Sequence, residues 1–432
     1  MPGHKGASRL GFEPLDITEI HGADSLYEAG GIIANSEANA SRLFGCRTFY
    51  SAEGSSQCIR AMLYLVLLHA KRSGKPPLVA AGRNAHKTFL TAAALLDLDI
   101  HWLYRKEAAS YLSCDPAPAE LEAYLQNAEE KPAAVYLTSP DYLGHVADVR
   151  ALAEVCHRHD VLLVVDNAHG AYLRFLSPSR HPIDLGADLC CDSAHKTLPV
   201  LTGGAYLHLS ADMDAAWGPQ VRNALMLFGS TSPSYLILQA LDAANVYLRA
   251  YPELLEAYIP LVDGLKARLS AHGYSVQGRE PLKLTIAAKP CGYTGTELAD
   301  LLREQHIEPE FADRDHLVLM LTPEIDAASL NRLEQALCRI PKRTAITQTA
   351  PAFSPAKQVM SIRDAMLSDS ETLPIAQCLG RILAVPSVGC PPAVPILVCG
   401  ELIDAHAIDC FAYYGIDSCS VVKGKQECHD EP

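Results

Sequence analysis

The sequence lacks any apolar run long enough to cross a bilayer, and its first residues show no signal-peptide pattern. It also lacks an excess of positive charge: the formal net charge of −14 disfavours nucleic acid, a partner that requires a basic face. Among the 14 cysteines no pair has the CxxC spacing, so a zinc site of the usual kind is not expected. We therefore expect a cytoplasmic protein with reduced thiols and no metal, which binds neither nucleic acid nor membrane.

Apolar runs alternate with helical patterns between Leu78 and Leu209, in a chain of 432 residues of which 49% are hydrophobic. This alternation predicts an α/β fold with a mostly parallel sheet. The predicted strands are residues 78–81, 100–103, 133–138, 161–165, 188–191 and 205–209, and the helices between them are residues 87–96, 117–128 and 148–159. Because ligands bind at the carboxyl ends of parallel strands, the polar loops that follow these strands should converge.

Two polar side chains at neighbouring strand ends indicate a chemical site. Asp166 follows the apolar run 161–165, and Lys196 follows the next predicted strand, beside Ser193 and His195. A lysine after a strand is by itself a common surface residue, so Lys196 is informative only together with Asp166. A pyridoxal 5′-phosphate (PLP) enzyme needs this pair, since the lysine forms a Schiff base and the acid pairs with the protonated pyridine nitrogen.

A turn of small residues, Gly54-Ser55-Ser56, opens a strongly amphipathic helix. The N-terminus of a helix offers free backbone N–H groups and the positive end of the helix dipole, which together suit a phosphate group. An ordinary serine N-cap without a ligand is the alternative. In combination with Lys196 and Asp166 we interpret the turn as a phosphate-binding site.

Three motifs resemble the ornithine/lysine/arginine decarboxylase family, a PLP-dependent group with the aspartate-aminotransferase fold. They are Ser-Ala-His-Lys at residues 193–196, Met-Pro-Gly-His-Lys-Gly at residues 1–6 and Ala-Gly-Arg-Asn-Ala-His-Lys at residues 81–87. The resemblance covers the chain from its first residue to about Glu401. It implies an α/β, PLP-dependent transferase-like (fold type I) large domain with a mostly parallel sheet, and a smaller α+β C-terminal domain.

The resemblance also implies roles for individual residues. His86 would stack on the cofactor ring, Ser193 and His195 would contact the cofactor phosphate, and His169 would border the ring or the substrate carboxylate. Lys196 or His169 would return a proton to Cα. For a lone histidine such as His86, a purely structural position is the alternative. Tyr142, after the strand 133–138, is either a further site residue or a buried tyrosine bonded to the backbone.

Ser230 and Thr231 precede a predicted helix at residues 235–250. In the family, a matching Ser/Thr-Ser-Pro segment reaches the phosphate of the neighbouring subunit, and the motif at residues 1–6 lies near the dimer interface. The resemblance therefore implies at least a homodimer with shared active sites. The alternative for the segment is an N-cap followed by proline in the first helical turn.

Ile307 and Glu310 match a Gly-Ile-x-x-Glu segment of the family, with His306 in place of the glycine. In the family, its glutamate meets the distal amine of a basic substrate. The resemblance thus implies lysine, ornithine or arginine as substrate, whereas a solvated acidic loop is the alternative.

The chain divides into four predicted parts: an N-terminal arm (residues 1–30), a large PLP-binding domain (31–252), a small α+β domain (253–340) and a cysteine-rich C-terminal extension (341–432). Residues 340–355 are polar and contain prolines, as in a linker. In the extension, Cys-Pro-Pro-Ala-Val-Pro at residues 390–395 and Cys-Gly-Glu at residues 399–401 resemble the family's Tyr-Pro-Pro-Gly-Ile-Pro and Pro-Gly-Glu.

The predicted function is decarboxylation of a basic amino acid to its amine and carbon dioxide. An aminotransferase or a β-eliminating lyase uses the same lysine and aspartate, but breaks the Cα–H bond, often with an arginine that binds the substrate carboxylate. No arginine of the sequence stands in an obvious position for that role, and only Arg314 is left open. A catalytically inactive, cofactor-binding regulator is the alternative from a different class.

Overall fold

The computed structural model describes residues 2–104, 116–390 and 394–424. Within these residues one seven-stranded sheet has the order β1-β7-β6-β5-β4-β2-β3. Strands β3, β2, β4, β5 and β6 run parallel to one another, and β7 is antiparallel to both β6 and β1. The seven strands are β1 (Arg47–Ser51), β2 (Leu78–Gly82), β3 (Asp99–Leu103), β4 (Ala134–Thr138), β5 (Leu162–Asp166), β6 (Leu189–Asp192) and β7 (Ala205–Leu209).

Helices cover both faces of this sheet. One face packs against α2, α3 and α7 and the other against α4 and α5, in two separate hydrophobic clusters. Side-chain caps begin several of the helices, among them Asp148, whose carboxylate accepts from the Ala151 N–H. The helices are α1 (Ile32–Phe44), α2 (Gly54–Ser73), α3 (Lys87–Leu96), α4 (Pro118–Asn127), α5 (Val149–Arg158), α6 (Ala194–Thr197) and α7 (Ala211–Met226).

A second sheet is antiparallel, with the order β10-β11-β9-β8. On one face of this sheet, Leu284, Ile286, Leu317 and Leu319 belong to the same hydrophobic cluster as α1, α8 and α9. The cluster also includes side chains of β1 and β7, so the two sheets share a continuous core. The elements of this part are α8 (Tyr235–Tyr247), α9 (Tyr251–His272), β8 (Ser275–Gln277), β9 (Lys283–Ala287), α10 (Gly295–Arg303), β10 (Phe311–Ala312), β11 (His316–Met320) and α11 (Ala327–Arg339).

The C-terminal part contains two small antiparallel sheets, β12 with β15 and β13 with β14. A buried ion pair joins it to the loop after β2: Nη2 of Arg83 lies 2.8 Å from Oε2 of Glu401. The backbone N–H of Val398 donates to the same carboxylate oxygen, so this buried oxygen has both an ion-pair partner and a backbone hydrogen bond. The elements are α12 (Ile362–Leu367), β12 (Ser370–Pro374), β13 (Ser387–Cys390), β14 (Val394–Val398), α13 (Ala405–Tyr414) and β15 (Ser418–Val422).

The six predicted strands and the three helices between them are confirmed, each to within one residue at either end. The sequence also predicts a polar helix at residues 28–44, and this prediction is wrong in its first four residues, because Gly31 is the N-cap and α1 begins at Ile32. The helix predicted at residues 235–250 ends at Tyr247. Residues 341–357 contain no helix or strand, as the linker prediction requires. The division into four domains stays a prediction.

Three predictions fall partly outside the described residues: Met1 of the first motif, residues 391–393 of the proline motif, and Cys428 of the cysteine-rich extension. Among the described helices none combines the length and the apolar character that a bilayer span needs. No disulfide joins the cysteines in the described part of the chain. Two of them approach closely, since the Sγ atoms of Cys378 and Cys419 lie 3.5 Å apart.

Candidate active site

The sheet brings the predicted site residues to one edge, at the carboxyl ends of β2, β5 and β6 and the start of α2. Strand β6 is followed at once by the short helix α6, which contains Lys196. Strand β5 ends at Asp166, and Ala168 and His169 lie in the loop after it. Strand β2 leads into the loop that ends at His86, the N-cap of α3. The convergence expected of parallel strands is therefore present in the structure.

Lys196 and His169 are in direct contact. Nζ of Lys196 lies 2.9 Å from Nε2 of His169. Burial lowers the pKa of Lys196, an effect that the nearby carboxylates of Asp166 and Glu310 oppose. Burial also holds the pKa of His169 well below its usual value, and the charge of Lys196 acts in the same direction. Burial thus shifts both pKa values in the direction of the neutral forms, and the neutral amine is the form in which a lysine is nucleophilic.

Asp166 is a buried carboxylate at the end of β5, with 2% of its surface exposed. Its Oδ1 accepts from the backbone N–H of Ala168 at 3.1 Å, and its Oδ2 accepts from the Tyr136 hydroxyl at 3.3 Å. These donors hold the carboxylate in place without neutralising its charge. Burial lowers the pKa of both Lys196 and His86, and the negative charge of Asp166 opposes this effect at each of them.

The start of α2 gathers hydroxyl groups from three loops. Oγ of Ser55 accepts from Oγ of Ser193 at 2.7 Å, which ties the turn before Lys196 to the helix N-terminus. Oγ of Ser56 lies 3.2 Å from Oγ1 of Thr88. Gly54 has a positive φ of +73°, and a Cβ placed there would meet no atom within 4 Å. The result is an open turn with backbone N–H groups and hydroxyl donors, which suits a phosphate group.

His86 and His195 both have one ring nitrogen engaged. Nδ1 of His86 accepts from the backbone N–H of Thr88 at 3.2 Å, so the ring caps α3, and burial lowers its pKa. Nδ1 of His195 lies 3.1 Å from the Gly204 carbonyl oxygen and donates to it, since a carbonyl can only accept. In both rings Nδ1 makes the hydrogen bond just described, and Nε2 is the other ring nitrogen. The sequence-derived roles of both histidines stay predictions.

Glu310 and Tyr142 border the same space from the second sheet and the loop after β4. The Glu310 side chain is exposed, while its backbone N–H donates to the Val318 carbonyl at 3.0 Å. The negative charge of its carboxylate raises the pKa of both Lys196 and Tyr142. The Tyr142 ring packs against the rings of His169 and Phe311, with centroids 5.0 and 5.7 Å apart. Tyr142 thus forms a wall of the site, next to Lys196.

Ser230 and Thr231 are exposed. The backbone N–H of Ser230 donates to Oε1 of Glu53, the residue before Gly54. The segment therefore lies beside the start of α2, on the surface. A contact with the phosphate of a partner subunit stays a prediction.

Lys283 and Glu280 were not predicted from the sequence. Lys283 is the first residue of β9 and has 2% of its surface exposed. Its Nζ lies 2.9 Å from Oε2 of Glu280 and 3.5 Å from Nδ1 of His169. The signal that could have found it is a charged residue within an otherwise apolar strand, at a position that packs inwards.

A second unpredicted group lies beneath Lys196. Oδ2 of Asp192 accepts from Nε2 of His181 at 3.2 Å and from Nε2 of His208 at 3.1 Å. Oδ1 accepts from the Asn167 amide at 2.7 Å. Burial alone would raise the pKa of Asp192, but the two imidazoles hold it below its usual value. The network fixes the end of β6, from which α6 starts.

The same group is the one set of described residues whose spacing could hold a metal ion, through His181, Cys190 and Asp192. Both carboxylate oxygens of Asp192 already accept hydrogen bonds from protein donors. The Asp192 carboxylate is therefore satisfied by hydrogen bonds, whereas Nδ1 of His181 and Oδ1 of Asn167 are buried and have no hydrogen-bond partner among the described residues. The sequence prediction of no metal stays a prediction.

Arg314 does not reach the predicted site. Its guanidinium donates to the Tyr413 carbonyl at 3.0 Å and to the Gln348 amide oxygen at 3.1 Å. It also lies over the Tyr413 ring, with Cζ 5.0 Å from the centroid. These contacts hold Arg314 to the C-terminal part, so this arginine is not placed to bind a substrate carboxylate.

The residues at this edge of the sheet fit PLP. The cofactor has an aldehyde, a basic ring nitrogen, an aromatic face and a phosphate. The structure offers a half-buried amine of lowered pKa (Lys196), a buried carboxylate (Asp166), an imidazole (His86) and a hydroxyl-lined helix N-terminus.

Comparisons with known proteins agree with this fit. A family model described as "Orn/Lys/Arg decarboxylase, major domain" matches residues 13–272, more than half of the 432 residues. The arginine decarboxylase of Bacillus subtilis (strain 168) is 28% identical in an alignment 466 positions long. The alignment covers 99% of this chain and 92% of that protein.

The fold has solved counterparts. The lysine decarboxylase of Francisella novicida matches with a TM-score of 0.79 at 16% identity, over 98% of this chain and 78% of its own. A structure described as SPT with PLP internal aldimine matches with a TM-score of 0.57 at 12% identity, over 73% of this chain and 78% of its own. The large sheet and its helices therefore have the architecture of fold type I PLP enzymes, as the sequence predicted.

Proposed function

The chain belongs to the Orn/Lys/Arg decarboxylase family, and we propose that it is a PLP-dependent enzyme that decarboxylates lysine, ornithine or arginine. The observation that carries the proposal is the contact of Lys196 with His169 at 2.9 Å beside the buried carboxylate of Asp166. Family membership alone would not distinguish an active enzyme from an inactive relative. The arrangement supplies the amine, the acid and the imidazole that the reaction needs.

Each residue has a defined task in this proposal. When bound, PLP supplies an electron sink for the pair that loss of carbon dioxide leaves on Cα. Lys196 would hold the cofactor through its amine, whose pKa burial lowers in the direction of the neutral, nucleophilic form. Asp166 holds a proton on the pyridine nitrogen, since its carboxylate remains an acceptor after bonding to Ala168 and Tyr136. Lys196 or His169 returns the proton to Cα.

Other residues position the cofactor. Gly54, Ser55 and Ser56 bind its phosphate, together with Ser193 and His195, because hydroxyl and N–H donors meet at the start of α2. His86 holds one face of the ring. Its own Nδ1 is fixed by the Thr88 N–H, which limits the freedom of the imidazole.

Glu310 selects a basic substrate in this proposal. The next residue, Phe311, packs on the Tyr142 ring with centroids 5.7 Å apart, which brings Glu310 to this side of the site, and its carboxylate raises the pKa of Lys196. A charge-assisted hydrogen bond to an ammonium or guanidinium tip contributes about 1.5–3 kcal/mol. An apolar tip would leave the carboxylate without that bond.

The oligomeric state and the cellular location are proposed from the family resemblance. We propose a cytoplasmic homodimer, or a larger homo-oligomer, in which Ser230 or Thr231 of one subunit contacts the phosphate in its partner's site. Both residues are exposed, which is the condition for such a contact. The amine product would serve polyamine biosynthesis.

A panel of amino acids offered to the purified, cofactor-loaded protein tests the reaction. We expect carbon dioxide and an amine from at least one of lysine, ornithine and arginine. A keto acid instead would indicate transamination, and the absence of any turnover would indicate a regulator. The hydrogen bonds that hold Arg314 against the C-terminal part do not favour transamination.

Replacing Glu310 with glutamine should weaken the use of a basic substrate and spare cofactor binding. Loss of the charge should lower kcat/KM by about 10- to 100-fold, which corresponds to the 1.5–3 kcal/mol above. The visible spectrum of the bound cofactor should not change.

Glu308→Gln is the matched control, because Glu308 lies in the same loop and is exposed. Its carboxylate pairs with Nε of Arg303 at 3.0 Å and not with the site. Wild-type kcat/KM for the basic substrate in Glu310→Gln, or a wild-type enzyme that prefers an apolar substrate, would contradict the assignment.

A further inference from the structure

Lys283 is a buried cation on the far side of His169 from Lys196. Nε2 of His169 lies 2.9 Å from Nζ of Lys196, and Nδ1 lies 3.5 Å from Nζ of Lys283. The imidazole is thus held between two amines, one on each ring nitrogen. The mechanism proposed above uses Lys196 but leaves Lys283 without a task.

Two oxygen atoms hold the amine of Lys283. Its Nζ donates to the Asp141 carbonyl at 2.9 Å and lies 2.9 Å from Oε2 of Glu280. Lys283 and Glu280 each have at most 2% of their surface exposed. A buried charge pair is costly unless its hydrogen bonds are satisfied, so the pair needs a structural or functional reason. Packing alone could be achieved by apolar residues of similar volume.

The direction of the hydrogen bond follows from chemistry. An ammonium group has three N–H donors and no acceptor, so a bond between Lys283 and His169 requires that Nδ1 of the imidazole accept. A neutral imidazole that accepts at Nδ1 carries its proton on Nε2. That proton then lies on the side of Lys196.

We propose that Lys283, held by Glu280 and the Asp141 carbonyl, is a positioning residue that donates to Nδ1 of His169 and fixes the imidazole proton on Nε2. This inference rests on the proposed function for its role in turnover. It assigns to His169 a defined donor, aimed at the space where Lys196 and the substrate meet. Lys283 itself does not touch substrate or cofactor.

The tautomer is measurable without turnover. In full-length protein labelled with ¹⁵N-histidine, the ring nitrogens of His169 should show a protonated Nε2 and an unprotonated Nδ1. The signals are assigned by their loss in His169→Gln. A wild-type His169 that carries its proton on Nδ1 would overturn the inference, and this result needs no variant of Lys283.

Two double variants separate the hydrogen bond from packing. Glu280→Gln with Lys283→Met removes both charges and the donor, so no unpaired buried charge remains. Glu280→Gln with Lys283→Gln also removes both charges, but keeps an N–H donor on a side chain of the same length as methionine. We expect the methionine pair to lose the Nε2–H preference and the glutamine pair to keep part of it. An unchanged tautomer in the folded methionine pair would refute the proposal.

Kinetics give the second readout. The methionine pair should lower kcat by about 10- to 100-fold, the range found when the partner that orients a metal-bound imidazole through its second nitrogen is removed. KM should stay within about twofold, because Lys283 does not contact the substrate, and the glutamine pair should recover part of kcat. If the tautomer changes as expected but no basic amino acid is decarboxylated by the wild type, the proposed function fails and the positioning of His169 stands. If the methionine pair changes the tautomer of His169 but keeps a normal kcat, Lys283 has no role in turnover.

Discussion

Replacing Lys196 with alanine should abolish turnover and remove the visible absorption band of covalently held cofactor, while the chain stays folded. Lys196 is the amine that burial keeps reactive, and its Nζ contacts His169 directly. Without it no other described amine has the same place at the end of β6. Lys283 lies on the far side of His169 and is engaged by Glu280, so it should not substitute.

Lys196→Arg separates the covalent role from the electrostatic one. Arginine keeps a positive charge but remains protonated and cannot act as the amine nucleophile. It should therefore be as inactive as the alanine variant. In the wild type, borohydride reduction followed by peptide mass spectrometry should place the cofactor on Lys196.

Lys71→Ala is the matched control, since Lys71 is an exposed lysine in the last turn of α2, away from the helix start. It should retain wild-type turnover and spectrum. A bound-cofactor band and normal turnover in Lys196→Ala would refute the central assignment.

Lys196 and Asp166 could be predicted because their signals are local. Each follows a buried apolar run, and the end of such a run is where a parallel sheet presents polar side chains. The strand limits were predicted to within one residue for the same reason. Glu310 needed the family spacing, because nothing local distinguishes it from the exposed Glu308 two residues earlier.

The contacts of Lys283 could not be predicted, because 114 residues separate it from His169. Only the packing of the second sheet on the loop after β5 brings the two together. Helix α7 was missed for a different reason: Gly218 and Pro219 stand inside it, and both disfavour a helix locally. Its packing against α2 and the large sheet overrides that preference.

Replacing Asp166 with asparagine should leave a folded, cofactor-binding protein whose kcat is lower by roughly 10²- to 10⁴-fold, the range that a positioned acid or base contributes. The amide has nearly the same shape as the carboxylate, so the contacts with Ala168 and Tyr136 can largely persist. What is lost is the negative charge that holds a proton on the pyridine nitrogen. The effect should appear in kcat, with cofactor content unchanged.

Asp188→Asn tests whether the loss is specific to the site. Asp188 is also a buried carboxylate of the large sheet, but it lies just before β6, at the end of that strand away from Lys196. Its Oδ2 accepts from the Leu163 N–H at 2.7 Å and from Nε2 of His157 at 3.0 Å. Asp188→Asn should lower the thermal stability and leave kcat close to the wild-type value.

A chemical substitute can then isolate the proton from the side chain. Asp166→Ala should be as slow as Asp166→Asn with PLP, but its smaller side chain leaves room for a cofactor methylated on the pyridine nitrogen. That nitrogen carries a permanent positive charge and needs no carboxylate to keep it. If Asp166 acts by holding the proton, the methylated cofactor should restore part of kcat in Asp166→Ala. It should not raise kcat in Asp188→Asn. Near-wild-type turnover of Asp166→Asn with PLP bound would exclude the role, because the neutral amide cannot hold the pyridinium proton.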